Sequence, residues 1–428
     1  NDWILYPPYS DQSLLRNVLA YRLSNDIGRY APRTRFCELI VNNDYRGIYV
    51  LIEKIKRDDH RISIAKLRPE DNSGDQLTGG YVVKVDRNAG EENEGWESRY
   101  TLSPTAQKVP WLYHDPGPDE LTTQQKDYIK QYVLDWEEKM RRTDWDEYLR
   151  KLFDIEAFID YYLINELAKN IDTYTFSTFF YKDRDSRGGK LVIGPVWDIN
   201  LGFGNADYFE GMETSGWLLR KKITVNDRIP FWLARIDGNS EIQQKIADRW
   251  QSLKRSELAL DRLLKLVDAW ADTLNEAQQR NFERWPILGE YVWPNYFVGK
   301  SYAEEIEYLK EWLSRRWNWM DQELNKTASS LEFTDQNQES SLKAFPNPFN
   351  GSVTFQITLA KASFVKILIT NEIGIRIRSL VERDLSVGAH TFQWDGLDDR
   401  HMPAASGAYF YLFFHDQYVD RRTVTLIR

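Results

Sequence analysis

The sequence predicts an α+β domain followed by a small all-β domain, and three observations carry that prediction. Between residues 13 and 320, stretches with apolar residues every three or four positions alternate with short apolar runs of strand character. Over 326–342, "KTASSLEFTDQNQESSL", hydrophobic content falls and Ser, Thr, Gln and Asp dominate, the composition of a linker. Beyond it, apolar runs separated by turns recur at the spacing of a β-sandwich. The expected boundaries are therefore 1–325, a linker at 326–342, and 343–428. A chain of 428 residues also exceeds what one ordinary core fills.

The first element is a helix over 13–28, where Leu14, Leu15, Val18, Leu19, Leu23 and Ile27 share a face, Ser13 offers an N-cap and Gly28 a stop. Two apolar runs, Phe36 to Val41 and Ile48 to Ile52, flank an Asn-Asn-Asp cluster suited to positive φ and predict a β-hairpin. "GGYVVKVD" at 79–86 predicts a further strand, and 119–170 carries helical periodicity. "STFFYKD" and "KLVIGPVWD" are expected to pair across the polar turn "RDSRGG". After 225 the chain is helical again, ending in a helix with Ile306, Leu309, Leu313, Trp317 and Met320 on one face. In the last domain "SVTFQITL", "FVKILITN", "HTFQWD" and "GAYFYLFF" read as strands.

Composition narrows the functional classes. A net charge of −9 repels the phosphates that a nucleic-acid binder attracts, so nucleic acid is not an expected partner. No stretch approaches the ~20 apolar residues that span a bilayer. The single cysteine, Cys37, lies in an apolar run and reads as buried and inert. Five histidines are scattered without ligand spacing, which argues against zinc, and the sixteen tryptophans are spaced as packing residues.

Two acidic positions sit where secondary structure changes. Asp172 follows a long apolar helix, Asp198 follows the strand "KLVIGPVW", and the 26 residues between them form the expected hairpin, which brings both to one sheet edge. Phosphoryl transfer needs one aspartate to orient the attacking hydroxyl and another to hold the metal that bridges the phosphates. Acidic residues at turns also bond nearby backbone amides, so spacing alone leaves a purely structural role open.

Four ordered blocks resemble the CotH kinase family over about residues 1–320: "LLRNVLAYRLSNDIGRYAPRTRFCELIVNNDYRGIYVLIEKIKR", "LTGGYVVKVDR", "LINELAKNIDTYTFSTFFYKD" and "KLVIGPVWDINLGFGN". The resemblance implies an atypical protein-kinase-like fold that phosphorylates Ser or Thr on exported proteins, using ATP with Mg²⁺ or Mn²⁺. It makes Asp172 the catalytic aspartate and Asp198 the metal aspartate, in the role of the aspartate of the kinase D-F-G motif. "GFGN" is expected to let backbone approach the phosphates closely. Candidate nucleotide contacts are Glu53 and Lys54 in "LIEKIK", Lys84 in "YVVKVD" and Arg16 in "LLRNVLAY"; strand alternation allows at most one of Glu53 and Lys54 to face a cleft. Two departures stand out. Family members carry further strands, an "RG-S-S" block and a basic nucleotide contact before the point where this chain begins, so the kinase-like domain is expected without its first strands. Where the family often has Asn five residues after the catalytic aspartate, this chain has Ser177, and Asn200 is the expected substitute ligand.

The C-terminal stretches "AFPNPFNGSVTFQITL", "VKILITNEIGIRIRSLV", "LSVGAHTFQWDGLDD" and "ASGAYFYLFF" resemble the Ig-like domain shared by the flagellar hook-capping protein family and the type A sorting domains of type IX secretion. In that reading the prolines of "PNPFN" open the first strand, Gly374, Gly388, Gly396 and Gly407 mark turns, and Trp394 and Tyr409 anchor the core. The resemblance implies the type IX secretion machinery as a partner, a secreted or surface location in a Gram-negative bacterium, and a secreted or surface protein as substrate. A second reading keeps the fold without the chemistry, as a catalytically inactive surface, coat or adhesion protein; a third is a glycan-degrading accessory protein.

Overall fold

The computed structural model describes residues 2–87, 94–332, 341–359, 362–371, 376–415 and 418–428. The chain divides into two compact units, Asn1–Ser329 and Ser330–Arg428, each with its own hydrophobic core. The first unit is mixed helix and sheet and the second is all-β.

Two antiparallel sheets organise the first unit. Strands β1 (Trp3–Tyr6), β2 (Thr34–Val41) and β3 (Asp44–Glu53) form a sheet of order β1-β3-β2. The hairpin between β2 and β3 turns on Asn42 and Asn43 at φ 52° and 63°, the two successive positive values of a two-residue turn that suits strand twist. Helix α1 (Arg16–Asp26) lies between β1 and β2 in sequence. It starts two residues later than Ser13 as N-cap predicts, because Asp11 does the capping: its carboxylate accepts the N–H groups of Ser13 and Arg16 at 3.2 and 2.8 Å.

The larger sheet has order β5-β6-β4-β7-β8 and comprises β4 (Tyr81–Val85), β5 (Gly95–Glu97), β6 (Pro110–Asp115), β7 (Thr178–Lys182) and β8 (Leu191–Ile193). The expected pairing of the segments around "RDSRGG" is present, with Phe180 opposite Ile193. Strands β1, β5 and β6 have no counterpart in the sequence reading; they are only three to six residues long, too short for a two-residue period to emerge.

Around these sheets pack α2 (Gly74–Leu77), α3 (Thr123–Lys139), α4 (Trp145–Leu152), α5 (Ile155–Ala168), α6 (Leu218–Thr224), α7 (Trp232–Asp237), α8 (Ser240–Leu253), α9 (Leu260–Thr273), α10 (Asn275–Arg284) and α11 (Tyr302–Glu332). Helix α3 opens with a reciprocal capping box between Thr122 and Gln125. Helix α5 is buried on every side from Ala157 to Ala168, which makes it the axis of the unit. Helix α11 continues to Glu332, past the start of the stretch read as a linker, while 333–340 lies outside the described residues.

In the second unit, β9 (Ser341–Phe345), β10 (Val353–Leu359) and β13 (Gly388–Trp394) form one sheet, and β11 (Ser363–Thr370), β12 (Arg376–Leu385), β14 (Gly407–His415) and β15 (Tyr418–Leu426) the other. Trp394 and Tyr409 meet edge to face at 4.9 Å in the core. "PNPFN" follows β9 rather than opening the first strand, since the ladder with β10 begins at Ser341. Gly374 lies outside the described residues.

Cys37 is half-buried on β2 rather than buried, and what burial it has raises its thiol pKa, which keeps it inert. Most tryptophans pack inside as expected, but Trp293 and Trp3 are exposed.

Candidate functional site

Helix α5 delivers the first aspartate. The helix closes on Lys169 in the left-handed region at φ 46°, and the Lys169 ammonium is tied to the carbonyls of Glu213 and Ser215 at 3.0 and 2.7 Å. The turn that follows is held from within: Thr173 Oγ1 donates to Asn165 Oδ1 at 2.7 Å, and Phe176 N donates to the Asp172 carbonyl at 2.8 Å. Asp172 is thus presented by a turn held by its own hydrogen bonds.

The second aspartate follows β8. Asp198 has φ 57°, a left-handed conformation that Asp tolerates better than most residues. Its loop is gripped by α1: the Asp198 N–H donates to the Tyr21 hydroxyl at 3.1 Å, and the Ile199 N–H to Asn17 Oδ1 at 2.7 Å. Trp197 stacks on Tyr21 at 5.9 Å. The two aspartate loops are joined directly, because Asn170 Nδ2 donates both to Thr173 Oγ1 at 3.0 Å and to the Asp198 carbonyl at 3.1 Å. The buried Oδ1 of the same amide has no hydrogen-bond partner.

The electrostatics show that the carboxylates share one field. Burial, then the charges of Asp172 and Asp86, raise Asp198 to about 6. Asp172 is also raised, by burial first; Lys222 and Arg87 oppose that, while Asp86 and Asp227 add to it. Asp86, just past β4, joins the group, and Lys84 Nζ lies 3.1 Å from its carboxylate. On the other side of Asp172, the buried Lys222 ammonium donates to Thr175 Oγ1 at 2.7 Å and to Asp227 at 2.8 Å. A cleft of about 580 Å³ opens over Asp172, Thr175, Phe176, Tyr208 and Lys222.

The structure places the other expected residues apart from one another. Asn200 lies two residues beyond Asp198 and hydrogen-bonds the Tyr6 phenol. Arg16 is 1% exposed and locked to Asp11 at 2.5 Å, so its charge is neutralised inside the protein instead of facing a ligand. Glu53, 0% exposed, closes β3 and is paired with the buried Arg61 at 3.5 Å and with the exposed Arg33 at 2.5 Å. Neither is free to contact a nucleotide, because breaking a buried pair leaves an uncompensated charge. Lys54 diverges from Glu53, as alternation requires, and lines a separate cleft of about 1130 Å³ with Lys56, Arg57, Arg68 and His114. That larger cleft contains neither Asp172 nor Asp198 among its walls.

The glycines of "GFGN" serve another purpose than the expected one. A Cβ on Gly204, at φ 76°, would stand 2.4 Å from the Trp312 ring, and one on Gly202 would meet the Ala168 carbonyl at 3.0 Å. The close approach they permit is to α11 and to the end of α5. Ser177 adopts φ 48°, a conformation Asn enters more readily.

Sequence reasoning missed Asp86, Asn170, Lys222 and Asp227. Asp86 had a signal, since residues i and i+2 of a strand share a face and Lys84 already stood on it. Lys222 and Asp227 reach the site from α6 and the turn behind it, which no local pattern announces.

Among the described residues no three His, Cys, Asp or Glu side chains converge as a dedicated metal cage. The donor set is one or two carboxylates, and this is what Mg²⁺ takes when phosphate oxygens and water supply its remaining positions. The residues present therefore fit a divalent cation shared with a nucleotide.

Two aspartates flanking a β-hairpin, tied together and sharing a field beside an open cleft, define a kinase-like protein. The chain belongs to the CotH kinase protein family, whose model matches residues 1–320. An FlgD Ig-like domain matches residues 346–411. No curated protein matches the chain. Among solved structures, dimeric latent PorU from Porphyromonas gingivalis aligns at 18% identity over 20% of this chain and 9% of that one, with a TM-score of 0.18. The Pseudomonas fluorescens alkylpurine DNA glycosylase AlkC, bound to DNA containing an abasic site analog, aligns at 14% identity over 46% of this chain and 55% of that one, with a TM-score of 0.17. Both scores are too low to establish a common fold.

Proposed function

We propose that this chain transfers a phosphoryl group from ATP, with Mg²⁺ or Mn²⁺, to Ser or Thr hydroxyls of a secreted or surface protein. The observation that supports this best is the pairing of Asp172 and Asp198, both made more basic than usual by burial first, with the charge of Asp172 adding to the rise at Asp198 and that of Asp86 adding to both. In this reading Asp172 orients the acceptor hydroxyl and receives its proton, for which a raised pKa is the useful direction. Asp198 holds the divalent cation, with Asn200 beside it, and Lys84, 3.1 Å from Asp86, is the lysine that would meet the phosphates. A bound cation would neutralise charge on the transferred group. Asn170 keeps the two carboxylates in register, and Lys222 balances Asp172 from the acceptor side.

The C-terminal sandwich fits a sorting module, which would route the protein through type IX secretion to the exterior or surface of a Gram-negative cell. The inactive reading has specific support as well: Arg16 and Glu53 are consumed in buried ion pairs with Asp11 and Arg61, and Lys84 is paired with Asp86. Transfer of labelled phosphate from ATP, with Mg²⁺ and with Mn²⁺, separates the two. Asp172→Asn and Asp198→Asn should each lower the rate by about 10²–10⁴-fold; a signal that survives both substitutions rules out these roles.

A further inference from the structure

The cleft over Asp172 has an unusual floor. Phe176, in the turn that presents Asp172, carries two guanidinium groups: Arg87 lies 4.5 Å and Arg228 5.1 Å from its ring centroid. The two arginines come from distant parts of the chain, one at the end of β4 and one after α6. Each follows an aspartate that accepts its backbone N–H, Asp86 at 2.8 Å and Asp227 at 2.7 Å. Those bonds fix the two backbones while leaving the side chains to the cleft. Among the described residues neither guanidinium is in a salt bridge, and both line the cleft with Asp172.

The charge balance there is positive. The cleft walls carry Arg87, Lys222 and Arg228 against Asp172 and Asp227. Lys222 and Asp227 neutralise one another at 2.8 Å, which leaves two guanidinium groups facing one carboxylate, itself raised toward its neutral form by burial. A guanidinium stacked on an aromatic face keeps its N–H fork free for an in-plane acceptor, and the fork matches a carboxylate. Asp198, Asn200 and Lys84 are not among the walls of this cleft.

We propose that Arg87 and Arg228, braced on Phe176, form a clamp for carboxylate side chains of the acceptor, so that the Ser or Thr presented to Asp172 is selected by Asp or Glu beside it. The proposal rests on the kinase reading for its biological meaning, but the clamp itself is a binding property. The probe is a set of short fluorescein-labelled peptides with one central Ser flanked by Asp and Glu, by Ala, or by Lys, titrated against the full chain by anisotropy without nucleotide. The acidic peptide should bind at least about tenfold more tightly than the neutral one, the size of one charge-assisted contact. Arg87→Gln and Arg228→Gln should each erode that ratio. The double change Arg87→Glu with Arg228→Glu should turn the preference toward the Lys peptide, a gain that misfolding cannot produce. Equal binding of the three peptides, no binding of any, or a preference unmoved by the substitutions overturns the clamp. So does a result in which the Gln substitutions weaken ATP binding and leave peptide binding intact. Running the transfer assay on the same peptides keeps the two ideas distinct: selective binding without transfer counts against the kinase reading alone, and transfer without selectivity counts against the clamp alone.

Discussion

Replacing Glu137 by Gln should stabilise the protein at pH 8 and do almost nothing at low pH. Glu137 lies on α3 and is 0% exposed. One carboxylate oxygen accepts the Arg99 N–H at 2.8 Å. The other has no well-directed partner, although the Trp111 indole N–H leans toward it. Burial lifts the group from an ordinary 4.5 to about 7, with those neighbours opposing the rise. For an acid raised on folding, the native state holds the proton more tightly than the unfolded chain. The penalty is therefore absent below the unfolded value, grows between 4.5 and about 7, and is complete above it. At 1.36 kcal/mol per pH unit the full penalty is about 3 kcal/mol. Gln keeps the carbonyl that Arg99 needs and removes the charge, so E137Q should gain about 3 kcal/mol at pH 8 and under about 1 kcal/mol at pH 5. Urea denaturation followed by tryptophan fluorescence is the assay, since fifteen of the sixteen tryptophans lie in the first unit and only Trp394 in the second. Other buried acids, Asp198 and Glu166 among them, are raised in the same direction, and taking variant minus parent at each pH cancels their contribution. A difference that is negative at pH 8, or constant across the range, would refute the reasoning. It would mean that the charged form is the better fit and that the Arg99 and Trp111 contacts outweigh desolvation.

Asn170→Ala should cost about 1–3 kcal/mol of stability, the worth of the two hydrogen bonds its amide donates, yet lower phosphotransfer by more than that loss of folded protein accounts for, at least about tenfold, because the amide is the direct link between the two aspartate loops; urea melts beside initial rates check it, and a rate that falls only as far as the folded fraction does would reduce Asn170 to a packing residue. Gly204→Ala should destabilise by about 1–3 kcal/mol through overpacking against Trp312, and a second change, Trp312→Leu, should recover part of that loss in the same denaturation assay.

Much of the scaffold around the site was legible in the sequence because it is local. The Asn42-Asn43 turn, the amphipathic α1 and the hairpin of β7 and β8 each depend on residues within one or two turns of each other. The proximity of Asp172 and Asp198 was legible for the same reason: the hairpin between them returns the chain to its starting edge. Strand β6 was not, because the Trp111 and Leu112 it buries look like any short apolar run until β4 and β5 flank it. The second unit announced itself by strand spacing, but the position of β9 ahead of "PNPFN" depends on its ladder with β10, which is invisible to periodicity.

The candidate site shows a sharper limit, which concerns charge. A sequence displays every Arg, Lys and Glu as equally available, whereas folding commits most of them. Arg16 and Glu53 have their charges compensated inside the protein before any ligand arrives. Arg87 and Arg228 look no different in the sequence, but the fold rests both on the ring of Phe176 and leaves them in the cleft of Asp172. What distinguishes the two sets is the identity of the neighbour: an opposite charge in the first case, Asp11 for Arg16 and Arg33 with Arg61 for Glu53, and an aromatic face in the second. An aromatic face attracts a cation by about 0.5–2 kcal/mol without neutralising it, so a guanidinium held this way remains able to bind an anion. Functional cations in this fold are therefore better sought among arginines braced on rings than among those that merely match a family pattern, and Arg87 with Arg228 is where that criterion points.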